Sequence, residues 1–271
     1  MRNIMMKRSI ALMLLATLAA VASAQEVKDY RGGWIADDGG VRHVYLLVAS
    51  GKKFTGIYCT DCSNPANLAI VDDGELTASG IRFKVYTDTA NGVVIGEASG
   101  KASNGELTLT RKDGNGASKT LTLHRSPFTH VKPAPPGGFQ PLTKAYEPPV
   151  TPYRITADKV VGLWLAGNGP NKQNFMFKRF NGGIRGMVCG PCTTTDNMAV
   201  LENVRWEGDK LHFDIAHEDS GPGIVEHGPH KNVTTATIAR NEMHLWVVPS
   251  FEAPGFTPVE MTLLGPVTYQ P

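Results

Sequence analysis

Gly186-Met187-Val188-Cys189-Gly190-Pro191-Cys192 has an altered twin, Gly56-Ile57-Tyr58-Cys59-Thr60-Asp61-Cys62, 130 positions upstream. These four cysteines are the only ones in the 271-residue chain. Working outward from them, Trp34 to Val85 lies on Trp164 to Ile215 without a gap. Identities fall at Gly32/Gly162, Trp34/Trp164, Ala36/Ala166, Gly56/Gly186, Cys59/Cys189, Cys62/Cys192, Asn67/Asn197, Ala69/Ala199 and Phe83/Phe213. A gapless match of this length reads as an internal duplication, so the two halves are expected to share one fold. Beyond Ile215 the register drifts, with insertions near Glu226 to His230 and across Pro249 to Pro258.

Each half reads as β structure. Val41 to Val48 is rich in β-branched and aromatic residues and ends at Ser50-Gly51-Lys52; Phe54 to Tyr58 follows as its hairpin partner. Asn67 to Val71 is a short apolar run closed by the turn signal Asp72-Asp73-Gly74, and Ile81-Arg82-Phe83-Lys84-Val85 alternates strictly. With Val93 to Ile95, Glu106 to Arg111 and Lys119 to His124, roughly eight short strands follow one another, the pattern of a small antiparallel barrel or sandwich. The expected division is a signal segment at 1–24, a first barrel-like repeat at 25–125, a proline-rich linker at 126–159 and a second repeat at 160–271.

Gly32-Gly33-Trp34 with Thr55-Gly56-Ile57-Tyr58, and Gly162-Leu163-Trp164 with Arg185-Gly186-Met187-Val188, resemble the first hairpin of lipocalin- and avidin-like (calycin) barrels. The resemblance covers about 25 residues of each repeat. It implies antiparallel barrels with a central ligand cavity. The duplicated C-x-x-C is not part of that family's pattern.

Met1 to Ala24 carries Arg2, Lys7 and Arg8, then the apolar run Ile10 to Val21, then Ala22-Ser23-Ala24. This reads as a secretory signal cleaved after Ala24, which puts the mature chain in the periplasm or outside the cell with no membrane anchor. The full chain has 27 Lys+Arg against 25 Asp+Glu; three of the basic residues fall in the signal, leaving 24 against 25. A near-neutral mature chain gives no electrostatic case for nucleic acid. The oligomeric state is not legible.

For the cysteines, several readings stay open. Cys189-Gly190-Pro191-Cys192 matches the thioredoxin redox motif, but strand precedes it and Thr193-Thr194-Thr195-Asp196 is a poor helix start, so the helix dipole that would stabilise a thiolate is missing. Local disulfides come first, each adding about 2 kcal/mol by the chain-entropy model. A zinc ion held by Cys59, Cys62, Cys189 and Cys192 comes next, on ligand count and spacing. Disulfides crossing between repeats come third, for about 5 kcal/mol in the same model.

Strand alternation turns His43 and Tyr45 inward, and Gln173 and Phe175 at the matching positions of the second repeat. A polar group among apolar ones is what an interior site needs to orient a ligand. The leading expectation is therefore an exported protein that binds a small apolar or aromatic molecule. Trp34, His43, Tyr45 and Tyr58 would line one cavity, and Trp164, Gln173 and Phe175 the other. The rival is a secreted lyase, isomerase or hydrolase. Its acid and base groups would come from His43, Tyr45, Tyr58, His217, His227 and His230, the last three flanking a Gly-Pro turn with nearby carboxylates. A structural module stapled by its cysteines is the third reading.

Overall fold

The computed structural model describes residues 25–86, 94–126, 140–141, 159–167, 172–190, 192–218, 230–249, 251–252 and 258–267. In chain order the first repeat gives β1 (Gly32–Asp38), β2 (Val41–Ser50), β3 (Lys53–Cys59), β4 (Leu68–Thr77), β5 (Gly80–Tyr86), β6 (Val94–Ser103), β7 (Glu106–Asp113) and β8 (Ser118–Arg125). Each strand pairs antiparallel with the next, and β1 closes on β8 through Trp34↔Arg125 and Ile35↔His124. A short β9 (Gln140–Pro141) follows. The second repeat gives β10 (Gly162–Ala166), β11 (Gln173–Phe180), β12 (Gly183–Cys189), β13 (Met198–Glu207), β14 (Lys210–His217), β15 (His230–Ala239), β16 (Glu242–Pro249), β17 (Phe251–Glu252) and β18 (Val259–Val267). Here β10 closes on β18, while β17 pairs with β9. The protein is thus all-β, built from two closed eight-stranded antiparallel barrels.

Local chemistry explains the strand connections. Asn104-Gly105 and Asn181-Gly182 make two-residue turns with both central φ angles positive (53° and 81°, 47° and 74°), a combination that Asn and Gly tolerate and that matches the twist of the strands they join. Asp72-Asp73-Gly74 proves not to be a turn. It lies inside β4, where the register against β5 shifts between Asp72 and Glu75 and Asp73 adopts φ 54°. The second barrel has the same shift between Glu202 and Arg205, with Asn203 at φ 52°. One residue in the left-handed region makes a β-bulge, which bends the strand without reversing it.

Each barrel has its own apolar interior. In the first, Trp34, Tyr45, Leu47, Phe83, Val85, Leu109 and Leu123 are buried together. In the second, Trp164, Phe175, Phe177, Phe213, Leu245 and Leu263 do the same work. A third apolar cluster lies between the barrels, on their outer faces. Leu46, Ile57, Cys59, Leu68 and Ile70 of the first barrel meet Met176, Met187, Cys189, Met198 and Val200 of the second. These two sets are the same positions of the repeat, 130 residues apart. The contact is therefore isologous, like the interface of a two-fold dimer whose subunits have been fused.

Polar contacts border this patch. Thr55 Oγ1 donates to Glu202 at 2.6 Å, Lys178 Nζ to the Leu68 carbonyl at 2.7 Å and Arg31 Nε to Glu218 at 2.6 Å. Met176 and Lys178, which the alternation of β11 turns outward, are thereby buried between barrels instead of solvated.

The cysteines form two local disulfides, Cys59–Cys62 and Cys189–Cys192, with Cα separations of 5.1 and 5.2 Å. The four-thiolate zinc site is overturned by this pairing: no sulfur is left as a thiolate ligand, and no group of three or more metal-ligating residues occurs among the described residues. Disulfides between repeats are overturned with it. Each C-x-x-C lies at the end of a strand and leads into a short 3-10 turn, Pro65–Asn67 or Thr195–Asn197, so neither has the helix that redox chemistry would call on. Both pairs belong to the inter-barrel contact, where Cys59, Cys62 and Cys189 are buried.

Candidate functional site

One end of the first barrel interior departs from the apolar rule. On β2 the period of two delivers His43, Tyr45 and Leu47 inward, and β3 places Tyr58 opposite Tyr45. His43 Nδ1 is 2.8 Å from the Tyr58 hydroxyl, and the two rings are stacked at 13°. The Tyr45 and Tyr58 ring centres are 4.7 Å apart. From the far wall, β7 sends Arg111 across the lumen, with its guanidinium carbon 5.1 Å from the centre of the Tyr58 ring. Gly96 leaves room for this crossing, since a Cβ there would stand only 3.0 Å from Arg111 Cγ. Arg111 Nε donates to Asp113 at 2.8 Å, and Lys119 is ion-paired with Asp38 closer to the mouth.

Exposure rises outward along this set. His43 and Tyr45 are buried, the Arg111 side chain keeps 16% of its exposure and that of Lys119 keeps 42%. The set therefore runs from the interior toward the end of the barrel that carries the β1–β2 and β7–β8 turns. Among the described residues, three of its buried polar atoms have no hydrogen-bond partner: His43 Nε2, the Tyr45 hydroxyl and Arg111 Nη1. Buried polar groups are nearly always satisfied, and three unpaired ones among neighbouring side chains call for a cause.

Their electrostatics follow from the same geometry. Burial, reinforced by Lys119 and Arg111, lowers the pKa of His43 and favours neutral imidazole. Burial pushes the Tyr45 phenol up, so it keeps its proton. Burial alone would lower Arg111, but Tyr45, Tyr58 and Asp113 outweigh it and hold the guanidinium charged.

The second barrel carries different residues at the matching places. Gln173 and Phe175 replace His43 and Tyr45, and Val188 replaces Tyr58; Val247, the sixth residue of β16, stands where Arg111 is the sixth of β7. Phe175 is buried and Gln173 half-buried. Trp34 and Trp164 take up one structural task twice: each indole Nε1 donates to the carbonyl four residues earlier, Tyr30 at 2.7 Å and Val160 at 2.8 Å. Arg125 covers the Trp34 ring at 4.0 Å, on the side away from His43.

His217 and His230 are cross-strand partners on β14 and β15, with ring centres 4.7 Å apart and planes at 15°. Asn232 Nδ2 is 3.4 Å from His217 Nε2. They belong to the second barrel and do not meet the His43 set. His227 lies outside the described residues. Glu218, next to His217, turns the other way, into the inter-barrel contact with Arg31 and the Ala49 N–H.

Of the residues singled out in the sequence, the structure brings together His43, Tyr45 and Tyr58. Arg111, Asp113 and Lys119 were missed. Their signal was a broken alternation: after Leu107 and Leu109 the inward positions of β7 become Arg111 and Asp113, charged where an apolar side chain is expected.

By its fold the chain is a tandem all-β barrel protein, the architecture that the calycin resemblance implies. No family model, curated protein or solved structure matches it. Two disulfides suit an oxidising compartment, and among the described residues no helix is long and apolar enough to cross a membrane.

Proposed function

We propose that this is an exported binding protein that takes a small, partly apolar molecule at the β1–β2 end of its first barrel, against His43, Tyr45, Tyr58 and Arg111. The observation that carries the reading is the convergence of three buried, unpaired polar atoms on neighbouring side chains of one interior. Unsatisfied buried groups cost stability, and a ligand that pairs with them recovers it. The aromatic walls of Tyr45 and Tyr58 supply apolar surface beside these atoms. Deeper in the barrel the interior is occupied by its own side chains, so the ligand is small.

The test is a set of amide proton–nitrogen spectra of the mature protein recorded against a panel of small aromatic and aliphatic compounds. Shifts concentrated on β2, β3 and β7 support the reading; a panel that leaves those strands unmoved while perturbing others refutes it.

The enzyme reading has one observation in its favour, the direct contact of His43 with Tyr58. It requires a base with a free lone pair, and turnover of a bound compound in the same samples would reveal it.

A further inference from the structure

We infer that the ligand presents an oxyanion of the carboxylate class to this site, an assignment that rests on the binding reading above. The donors and acceptors left free in the site set the chemistry of its ligand. A guanidinium only donates. Arg111 uses Nε on Asp113, while Nη1 remains unpaired inside the barrel.

The Arg111 guanidinium carbon also stands 5.1 Å from the centre of the Tyr58 ring. The Tyr58 hydroxyl pairs with His43 Nδ1, 2.8 Å away, and the tautomer of His43 sets which of the two donates. A neutral imidazole accepting at Nδ1 carries its own proton on Nε2. Nε2 is the buried atom without a partner, and it is a donor in the tautomer that accepts from Tyr58 at Nδ1. The third free atom is the Tyr45 hydroxyl, which burial keeps protonated. Arg111 Nη1 and the Tyr45 hydroxyl are thus donors, His43 Nε2 joins them in that tautomer, and the first belongs to a permanent cation.

Of the protein's own carboxylates near this end, Asp113 takes Nε of the same guanidinium and leaves Nη1 free, while Asp38 is held by Lys119. A carboxylate offers two oxygens with about four lone-pair sites, enough to accept from Arg111 Nη1, the Tyr45 hydroxyl and His43 Nε2 together, with the charge-assisted bond going to the free edge of the guanidinium. In that tautomer the free nitrogen of His43 is protonated and does not act as a general base. The second barrel lacks every member of the set, with Gln173, Phe175, Val188 and Val247 in their places.

The test uses acid and amide pairs of nearly equal shape: acetate and acetamide, phenylacetate and phenylacetamide, octanoate and octanamide, at pH 7.5. Affinities are read from the amide resonances of β2, β3 and β7 in the full mature chain. At least one acid is expected to bind tenfold or more tightly than its amide. Arg111→Gln should reduce acid binding by tenfold or more and leave amide binding nearly unchanged, and Tyr45→Phe should cost the acid several-fold. Arg111→Lys, which keeps the charge, covers the case in which Arg111→Gln fails to fold; it should retain part of the acid preference.

Equal binding of acid and amide, or an acid affinity indifferent to Arg111→Gln, overturns the oxyanion assignment and leaves the binding reading standing. If no member of any pair moves the first-barrel strands, the assignment and the binding reading both fall.

Discussion

His43 ties one ring nitrogen to Tyr58 and holds the other in a buried interior without a partner. That environment has a consequence for stability. Burial, Lys119 and Arg111 lower the folded pKa, so below the free-imidazole value of about 6.5 the unfolded chain takes up a proton that folded His43 refuses. The unfolded state then binds more protons, and this contribution to stability, complete above about pH 6.5, is lost as the pH falls below it. Glu218 acts in the opposite sense: burial raises its pKa, the folded state holds its proton to higher pH, and its contribution fades as the pH rises above the ordinary carboxyl range. Comparing wild type with His43→Gln cancels the Glu218 part. Urea unfolding at pH 7 and pH 5 should show wild type losing more stability than the variant, by at most about 1.4 kcal/mol per pH unit. Equal losses would mean that His43 is not held neutral.

Among the elements, the glycine shared by both repeats shows why a short motif recurs. A Cβ on Gly56 would stand 2.0 Å from the Leu46 carbonyl oxygen, and one on Gly186 would stand 2.0 Å from that of Met176, the matching position. Both glycines sit beside a register shift in their strand pairing, between Phe54 and Gly56 and between Ile184 and Gly186. Gly56→Ala and Gly186→Ala should each cost about 1–3 kcal/mol or more, because backbone cannot give way as a flexible side chain can. Gly183→Ala on the same β12 meets nothing nearer than 3.5 Å and should change stability by about 0.5 kcal/mol or less. Thermal and chemical unfolding of the three variants checks the contrast; three equal effects would remove the steric account.

The strands themselves were legible, because period-two alternation such as Ile81, Phe83 and Val85 survives in the sequence. The bulge at Asp73 was not, since a single left-handed residue carries the same letters as a turn. Of the site, the β2 and β3 residues were read from local alternation. Arg111 was not, because no local pattern tells which strand of a barrel faces which across the lumen.

For the whole molecule, the informative pattern is apolar runs that do not alternate. Val44 to Val48 and Leu68 to Val71 are buried at every position, as are Met187 to Cys189 and Met198 to Leu201, because one face of each strand fills its barrel and the other meets the sister barrel. Strands buried on both faces read as continuous apolar stretches, so the second face was present in the sequence but was not assigned a partner. The described residues of the inter-barrel cluster divide into nine buried side chains from the first repeat and eight from the second, the near-equal shares expected of a fused two-fold contact. Neither barrel should therefore be content alone. Chains covering 25–126 and 159–271, made separately, would each expose this patch to water, and a large exposed apolar patch drives association. Size-exclusion chromatography with light scattering should find each half self-associated or aggregated, and co-refolding of the two should recover a soluble one-to-one complex. Met187→Asp in the intact chain places a charge where Met187 is fully buried, and it should lower stability by several kcal/mol without touching the first-barrel site. Two monomeric, soluble halves, or a harmless Met187→Asp, would mean that the barrels are joined by their linker alone and that the shared cysteine corner does not hold them together.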